Sequence, residues 1–250
     1  MNVAFLNFRG RRARIIRVSD RFVLVHGAWH GGWCWRRVAR VLRDAGHDVL
    51  TPTLTGFGAR AHLLGADVGP DTLVQDVVGV LESEELHDVV LVGHSFGALV
   101  ALAVAERCPD RLRRVVLLDG LVVEAGEPGF AALPPESVAA RTAAAEASGG
   151  LAIPPPGAAA FGLTDPDDIA WVGRRLTPHP LRTYAEPFPL HGPLGGGRPV
   201  TYIACTDPAY PAVHGAHAIA RREGWELREL AAGHDAMVSA PEATARALTG

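Results

Sequence analysis

The sequence predicts an α/β protein: a mostly parallel sheet covered by helices on both faces, with a helical segment inserted before its last strands. Three observations lead there. Short apolar, β-branched runs alternate with stretches of helical spacing along most of the 250 residues. One such run, Val89–Val92, breaks at Gly93-His94-Ser95-Phe96-Gly97 and resumes as an alanine- and leucine-rich helix. Residues able to do acid–base or nucleophilic chemistry fall just after strands, the edge where parallel sheets bind ligands.

Residues 1–21 form an extension in which Arg9, Arg11, Arg12, Arg14, Arg17 and Arg21 alternate with Phe5, Phe8, Ile15, Ile16 and Val18. A solvated extension or a first edge strand accounts for this pattern better than a basic arm for an acidic partner. Phe22–Val25 reads as a strand ending in the glycine-rich turn His26-Gly27-Ala28-Trp29-His30-Gly31-Gly32-Trp33. A helix over 33–45 follows, with Val38, Val41 and Leu42 on one face and Gly46 as its stop. Asp48–Leu50 is the next strand, and a proline- and glycine-bearing loop leads to a helix from Pro70 to Glu84. After the strand at 89–92 and its helix, Val115–Leu118 is a further strand, closed by Asp119-Gly120. From 121 to 198 proline and glycine rise sharply, and two helical patches stand out at 136–147 and 166–176. That segment interrupts the alternation and reads as a cap inserted into a core made of 22–120 and 199–250. Strands at 200–204 and 225–230, a helix at 211–222, a loop at Gly233-His234 and a helix from Pro241 complete the chain.

Composition bounds what such a domain does. Net charge is −3, so no strong field draws nucleic acid or an anionic membrane, and no apolar run is long enough to span a bilayer. All 24 basic residues are arginine, which removes lysine from the candidate catalytic groups. Cys34, Cys108 and Cys205 are odd in number and widely spaced, an arrangement that fits a reducing compartment rather than a disulfide framework or zinc site. With no secretory leader evident at the N-terminus, cytoplasm is the expected location. A small-molecule substrate is the expected partner, with no nucleic acid, membrane, cofactor or metal; the oligomeric state is open.

The chemistry centres on Gly93-x-Ser95-x-Gly97. A serine held at a strained backbone angle on a tight strand-to-helix turn needs neighbours without side chains, and the turn lifts its hydroxyl clear of the sheet. The first amides of the following helix then face whatever Ser95 attacks, so the Phe96 N–H is a candidate oxyanion donor. Serine alone is a weak nucleophile and needs a base, which the loop His234 can supply, and an acid that fixes the histidine tautomer. Asp119 and Asp207 both lie past strands, in the chain order Ser, Asp, His. Asp235 adjoins His234 and cannot easily reach round to its neighbour's ring.

The stretches Phe22–Trp33 and Gly93–Gly97, with the weaker Gly233-His234 and Ser239-Ala240-Pro241-Glu242, resemble the α/β-hydrolase superfamily. More narrowly they resemble its branch of plant methylesterases and hydroxynitrile lyases with their bacterial esterase relatives. The resemblance runs from Phe22 to about Ala247. It departs from the family pattern beside His234, where Asp235 follows the histidine instead of an acidic or small residue preceding it. It implies the α/β-hydrolase fold and a triad of Ser95, His234 and Asp207, since the family usually places its acid past the strand at 200–204. Some relatives keep the acid where Asp119 lies. The resemblance also implies the backbone N–H of Ala28 as the second oxyanion donor.

The expected activity is cleavage of a carboxylic ester or thioester of a small to medium, largely apolar substrate through an acyl-serine. A cofactor-free carbon–carbon lyase is the alternative within the branch. In those enzymes the nucleophile typically follows Glu or Cys, threonine replaces the glycine after the first histidine, and lysine follows the catalytic one; here these positions hold His94, Gly27 and Asp235. A non-catalytic ligand receptor that keeps the triad is a third reading. In the cap, Phe130, Leu133, Phe161, Trp171, Tyr184, Phe188 and Leu190 suggest an apolar pocket, while Arg174, Arg175 and Arg182 read as solvent-facing rather than anion-binding. His214 and His217 read as surface histidines, His26 and His94 as groups that shape the turns, and Trp29, Trp33 and Trp35 as core and pocket lining.

Overall fold

The computed structural model describes residues 19–250 together with Val3–Ala4 and Ile16–Arg17, which pair antiparallel. Arg9, Arg11, Arg12 and Arg14, and with them the reading of a basic extension, lie outside the described residues.

Six strands form one parallel sheet: β1 (Arg21–Val25), β2 (Asp48–Leu50), β3 (Val89–His94), β4 (Leu112–Leu118), β5 (Val200–Cys205) and β6 (Glu226–Leu230). Their order is β6-β5-β4-β3-β1-β2, so β3 and β4 sit in the middle. Val89–Val92 of β3 and Val115–Leu118 of β4 are apolar with no alternation because helices cover both faces, and every residue of β3 is buried. One face packs against α2 (Pro70–Ser83), α3 (Gly97–Arg107) and α6 (His214–Arg222); the other against α1 (Arg36–Asp44) and α7 (Pro241–Thr249). The core is therefore two apolar layers separated by the sheet. Burial of side chains such as Leu73, Leu91, Leu117 and Ile203 contributes about 1.5–3 kcal/mol each to holding the layers together.

Several elements start or stop beside the residue the sequence indicates. The turn Gly32–Trp35 is a tighter helix that precedes α1, and Pro211–Val213 similarly precedes α6. Between β4 and β5 the chain carries α4 (Pro135–Ala147) and α5 (Pro166–Gly173). It also carries a short antiparallel ribbon, Ala152–Ile153 with His179–Pro180, that two-residue strands amid prolines do not announce. The ribbon is anchored to the core: the Trp29 indole N–H donates to the Ile153 carbonyl, and the Thr177 N–H to the Trp29 carbonyl.

The junction of β3 and α3 is tightly packed. A methyl group on Gly97 would fall inside the van der Waals shells of the Val25 and His26 carbonyls. Gly79, in the middle of α2, faces open space instead. Gly97→Ala is therefore expected to destabilise the protein by about 1–3 kcal/mol or prevent folding. Gly79→Ala should raise stability by up to about 1 kcal/mol. Urea unfolding of the two variants checks both signs.

Candidate active site

Ser95 leaves β3 with φ of 52°, a left-handed conformation that a serine adopts only under constraint. Its N–H donates to the Leu118 carbonyl, and its own carbonyl accepts the N–H groups of Ala98 and Leu121, so the turn is fixed to β4 and to α3. The hydroxyl lies 2.9 Å from His234 Nε2. On the opposite side of that ring, Nδ1 lies 2.6 Å from Asp119 Oδ2. A carboxylate oxygen can only accept here, so Nδ1 carries the proton and Nε2 faces the serine as an acceptor.

Asp119, not Asp207, meets His234. Asp119 leaves β4 in a left-handed conformation, φ 46°, that aspartate tolerates better than most residues. It is fully buried, and its second oxygen accepts the Cys205 N–H at 3.0 Å from the end of β5. Asp207 lies two residues farther along, in an exposed turn where its N–H donates to the Ala232 carbonyl. The expectation for Asp207 fails because the carboxyl end of β5 presents a backbone donor to Asp119, while the chain carries Asp207 past the site into solvent.

Ala28 lines the cleft with Ser95, Phe96 follows Ser95 in the chain, and among the described residues neither N–H donates to a protein acceptor. Two histidines set the loop that carries Ala28. His26 donates from Nδ1 to the Gly27 carbonyl at 2.8 Å and accepts the Leu54 N–H at Nε2. Gly27 C=O and Ala28 N–H belong to one planar peptide, so tying back the carbonyl turns the N–H the other way. Burial, opposed by the Gly27 bond and aided by the nearby His30 charge, pushes the His26 pKa down to about 3, so it stays neutral. His30 donates from Nδ1 to the Ala28 carbonyl at 2.7 Å, while its Nε2 lies 3.0 Å from Asp235 Oδ2. Burial disfavours the His30 cation, yet the Asp235 charge and hydrogen bond, with the Ala28 carbonyl, outweigh it and raise the pKa. His94 donates from Nε2 to the His234 carbonyl; burial, then the charges of His234 and His30, keep it well below the usual histidine range.

The cleft above Ser95 is narrow and is walled by Trp29, Leu121, Leu133, Phe161, Tyr184 and Tyr210. Leu133, Phe161 and Tyr184 were legible as pocket residues. Phe188 and Leu190 instead join the core, and Phe130 stacks behind Tyr184. Trp171 packs on Trp33, with Arg37 and Arg175 over its ring. Arg174 is exposed, and Arg182 pairs with Glu186. Sequence reasoning missed Arg141, which reaches into the cleft from α4, and Tyr210, whose ring stacks 4.0 Å from that of His234. It also missed the pairing of His30 with Asp235. The histidine recurring in the glycine-rich turn was the only local signal for that pair.

The buried pair has a measurable signature. His30 has a raised folded-state pKa, so its contribution to stability is complete below about pH 6.5 and is lost as pH rises through the raised value. Asp235→Asn should cost up to about 3–5 kcal/mol at pH 6, the cost of breaking a buried ion pair. The cost should shrink at pH 9. Denaturant unfolding of both proteins at the two pH values checks the sign.

The model of the Alpha/beta hydrolase family matches residues 22–247. A carbendazim hydrolyzing esterase from Nocardioides sp. is 43% identical over 238 residues, covering 91% of this chain and 97% of that protein. Among solved structures, an extracellular alpha/beta-hydrolase from a Paenibacillus species superimposes with a TM-score of 0.79 at 24% identity, covering 92% of this chain and 97% of that one. Tomato Methylketone Synthase I superimposes with a TM-score of 0.77 at 21% identity, covering 93% and 97%. These two share the fold. The full-length esterase relative and the aligned serine, histidine and aspartate make this a serine hydrolase of the carboxylesterase type, and the chain belongs to the alpha/beta hydrolase family.

Proposed function

We propose that the protein hydrolyses a carboxylic ester, or the corresponding thioester, with a small to medium and largely apolar body, through an acyl-Ser95 intermediate. The supporting observation is the unbroken chain from Ser95 Oγ to His234 Nε2 at 2.9 Å and from His234 Nδ1 to Asp119 Oδ2 at 2.6 Å. His234 takes the proton as Ser95 Oγ bonds to the ester carbonyl carbon. The oxygen of the tetrahedral adduct lies against the Ala28 and Phe96 N–H groups, which develop full hydrogen bonds only as charge builds there. His234 returns the proton to the departing alcohol, then takes another from the water that cleaves the acyl-serine. Asp119 holds the ring and balances the imidazolium without itself taking the proton. The apolar walls exclude water around the adduct and strengthen every one of these interactions.

The Nocardioides relative is named for hydrolysing carbendazim, so that compound belongs on the first substrate panel beside simple p-nitrophenyl esters and acyl thioesters. The reading of a cytoplasmic enzyme stays with the proposal. Free Cys34, Cys108 and Cys205 suit a reducing compartment.

Ser95→Ala should remove turnover while leaving the circular dichroism spectrum unchanged, and a fluorophosphonate label should locate to Ser95 by mass spectrometry. Retention of more than a trace of turnover would overturn the nucleophile assignment. Asp119→Asn should lower kcat by roughly 10⁴ with little change in KM, because the amide favours the wrong histidine tautomer. Asp207→Asn should stay within about threefold of the parent protein, as substitutions in exposed turns usually do. The two variants measured side by side decide between the carboxylates.

A further inference from the structure

Arg141 is the only arginine among the described residues that line the cleft above Ser95, and its guanidinium is placed for a ligand. Its central carbon lies 4.9 Å from the centre of the Trp29 ring and 5.0 Å from that of Tyr184, so aromatic faces hold the flat sides of the cation. Its Nη1 is buried and has no hydrogen-bond partner, and among the described residues no carboxylate lies within ion-pair distance of it. Several other arginines are paired with carboxylates: Arg37 with Asp168, Arg60 with Asp76, Arg113 with Asp20, Arg222 with Glu124. A buried guanidinium N–H without an acceptor costs stability unless something completes it. Ring stacking occupies the faces of a guanidinium and not its edge, where two N–H groups can donate to two carboxylate oxygens in one plane. The Tyr184 and Tyr210 hydroxyls face the guanidinium, while Leu121, Leu133 and Ala212 nearby supply no further acceptor from their side chains. The cationic charge also reaches its neighbours: burial lowers the pKa of His179, and Arg141 lowers it further.

We propose that Arg141 is a substrate-binding residue that receives a carboxylate, and that the preferred substrate is an ester carrying a free carboxylate on its acyl or alcohol part. This rests on the esterase reading above. Hydrolysis is unchanged in its bonds; Arg141 selects and orients the molecule whose ester reaches Ser95.

The test compares monomethyl esters of linear dicarboxylic acids with their dimethyl esters, and acetoxy-carboxylic acids with their amides. The first pair puts the carboxylate on the acyl side, the second on the alcohol side. In the parent protein one charged series should exceed its neutral match at least 10-fold in kcat/KM, chiefly through KM. Arg141→Met should lose at least 10-fold more on the charged esters than on the neutral ones, and Arg141→Lys should recover part of that loss. Equal losses on both series would overturn the proposal and leave Arg141 as a support for Trp29 and Tyr184. An Arg141-dependent gain confined to neutral acceptor esters would overturn it as well. Binding without turnover separates the two readings. Calorimetric titration of Ser95→Ala with glutarate should show binding that weakens at least 10-fold when Arg141→Met is added, and no binding of any dicarboxylate in the linear series would count against the subsite. Carboxylate binding without turnover of any ester in the parent protein would sink the esterase reading and leave the subsite standing.

Discussion

The site depends on keeping two carboxylates out of water on either side of one short loop. Asp119 and Asp235 are both fully buried, and each is matched to a histidine. Asp119 faces His234, and Asp235, the next residue in the chain, faces His30 on the oxyanion loop. A buried carboxylate without such a partner would be protonated or would unfold its surroundings. The loop Gly233–Asp235 is therefore pinned at both side chains, in opposite directions. Its backbone is held as well: the His234 carbonyl accepts from His94, and the Asp235 N–H donates to the Phe161 carbonyl of the segment between β4 and β5. These four interactions, with the Tyr210 ring stacked on it at 4.0 Å, hold the His234 ring over Ser95.

That arrangement binds the inserted segment to the chemistry. Phe161 ties the histidine loop, Ile153 ties the Trp29 side chain, and Thr177 ties the Trp29 backbone. Trp29 has a positive φ of 63° directly after Ala28, a conformation a tryptophan keeps only when its surroundings determine it. A change of sequence between β4 and β5 can thus alter both the substrate that fits and the loop that carries Ala28 beside Ser95. The segment forms part of the catalytic geometry as well as the pocket wall.

The sequence made different parts of this legible to different degrees. Ser95 was readable because its geometry is local: five residues between a strand and a helix define it. His234 was readable from its place in the final loop. The acid was not, since Asp119 and Asp207 follow adjacent parallel strands about 5 Å apart. Choosing between them needs the left-handed turn at Asp119 and the Cys205 N–H that meets its carboxylate, both of which depend on strand register. Arg141 was hidden for another reason. Helix α4 buries little besides Ala145, so its sequence looks like a solvated helix and gives no sign that one of its arginines reaches into a cleft. Arg174, Arg175 and Arg182 look no different in sequence, and they point elsewhere.

Gly27 separates the esterase from the lyase on steric grounds. The lyase branch that the sequence resembles typically carries threonine at this position. Here a Cβ on residue 27 would lie 2.8 Å from Ser95 Cβ and 3.0 Å from His94 Nδ1. Neither neighbour can move aside: Ser95 is fixed by the strained turn and His94 by its bond to the His234 carbonyl. A threonine would need a smaller residue in place of His94 and a shifted serine, so the two positions are coupled. The nearby His30 charge, which helps hold His94 neutral, and the closeness of His94 to Gly27 belong to one packing solution. In that solution the loop backbone passes directly beside the nucleophile. The space a lyase would fill with a threonine hydroxyl is taken up by the approach of the loop itself.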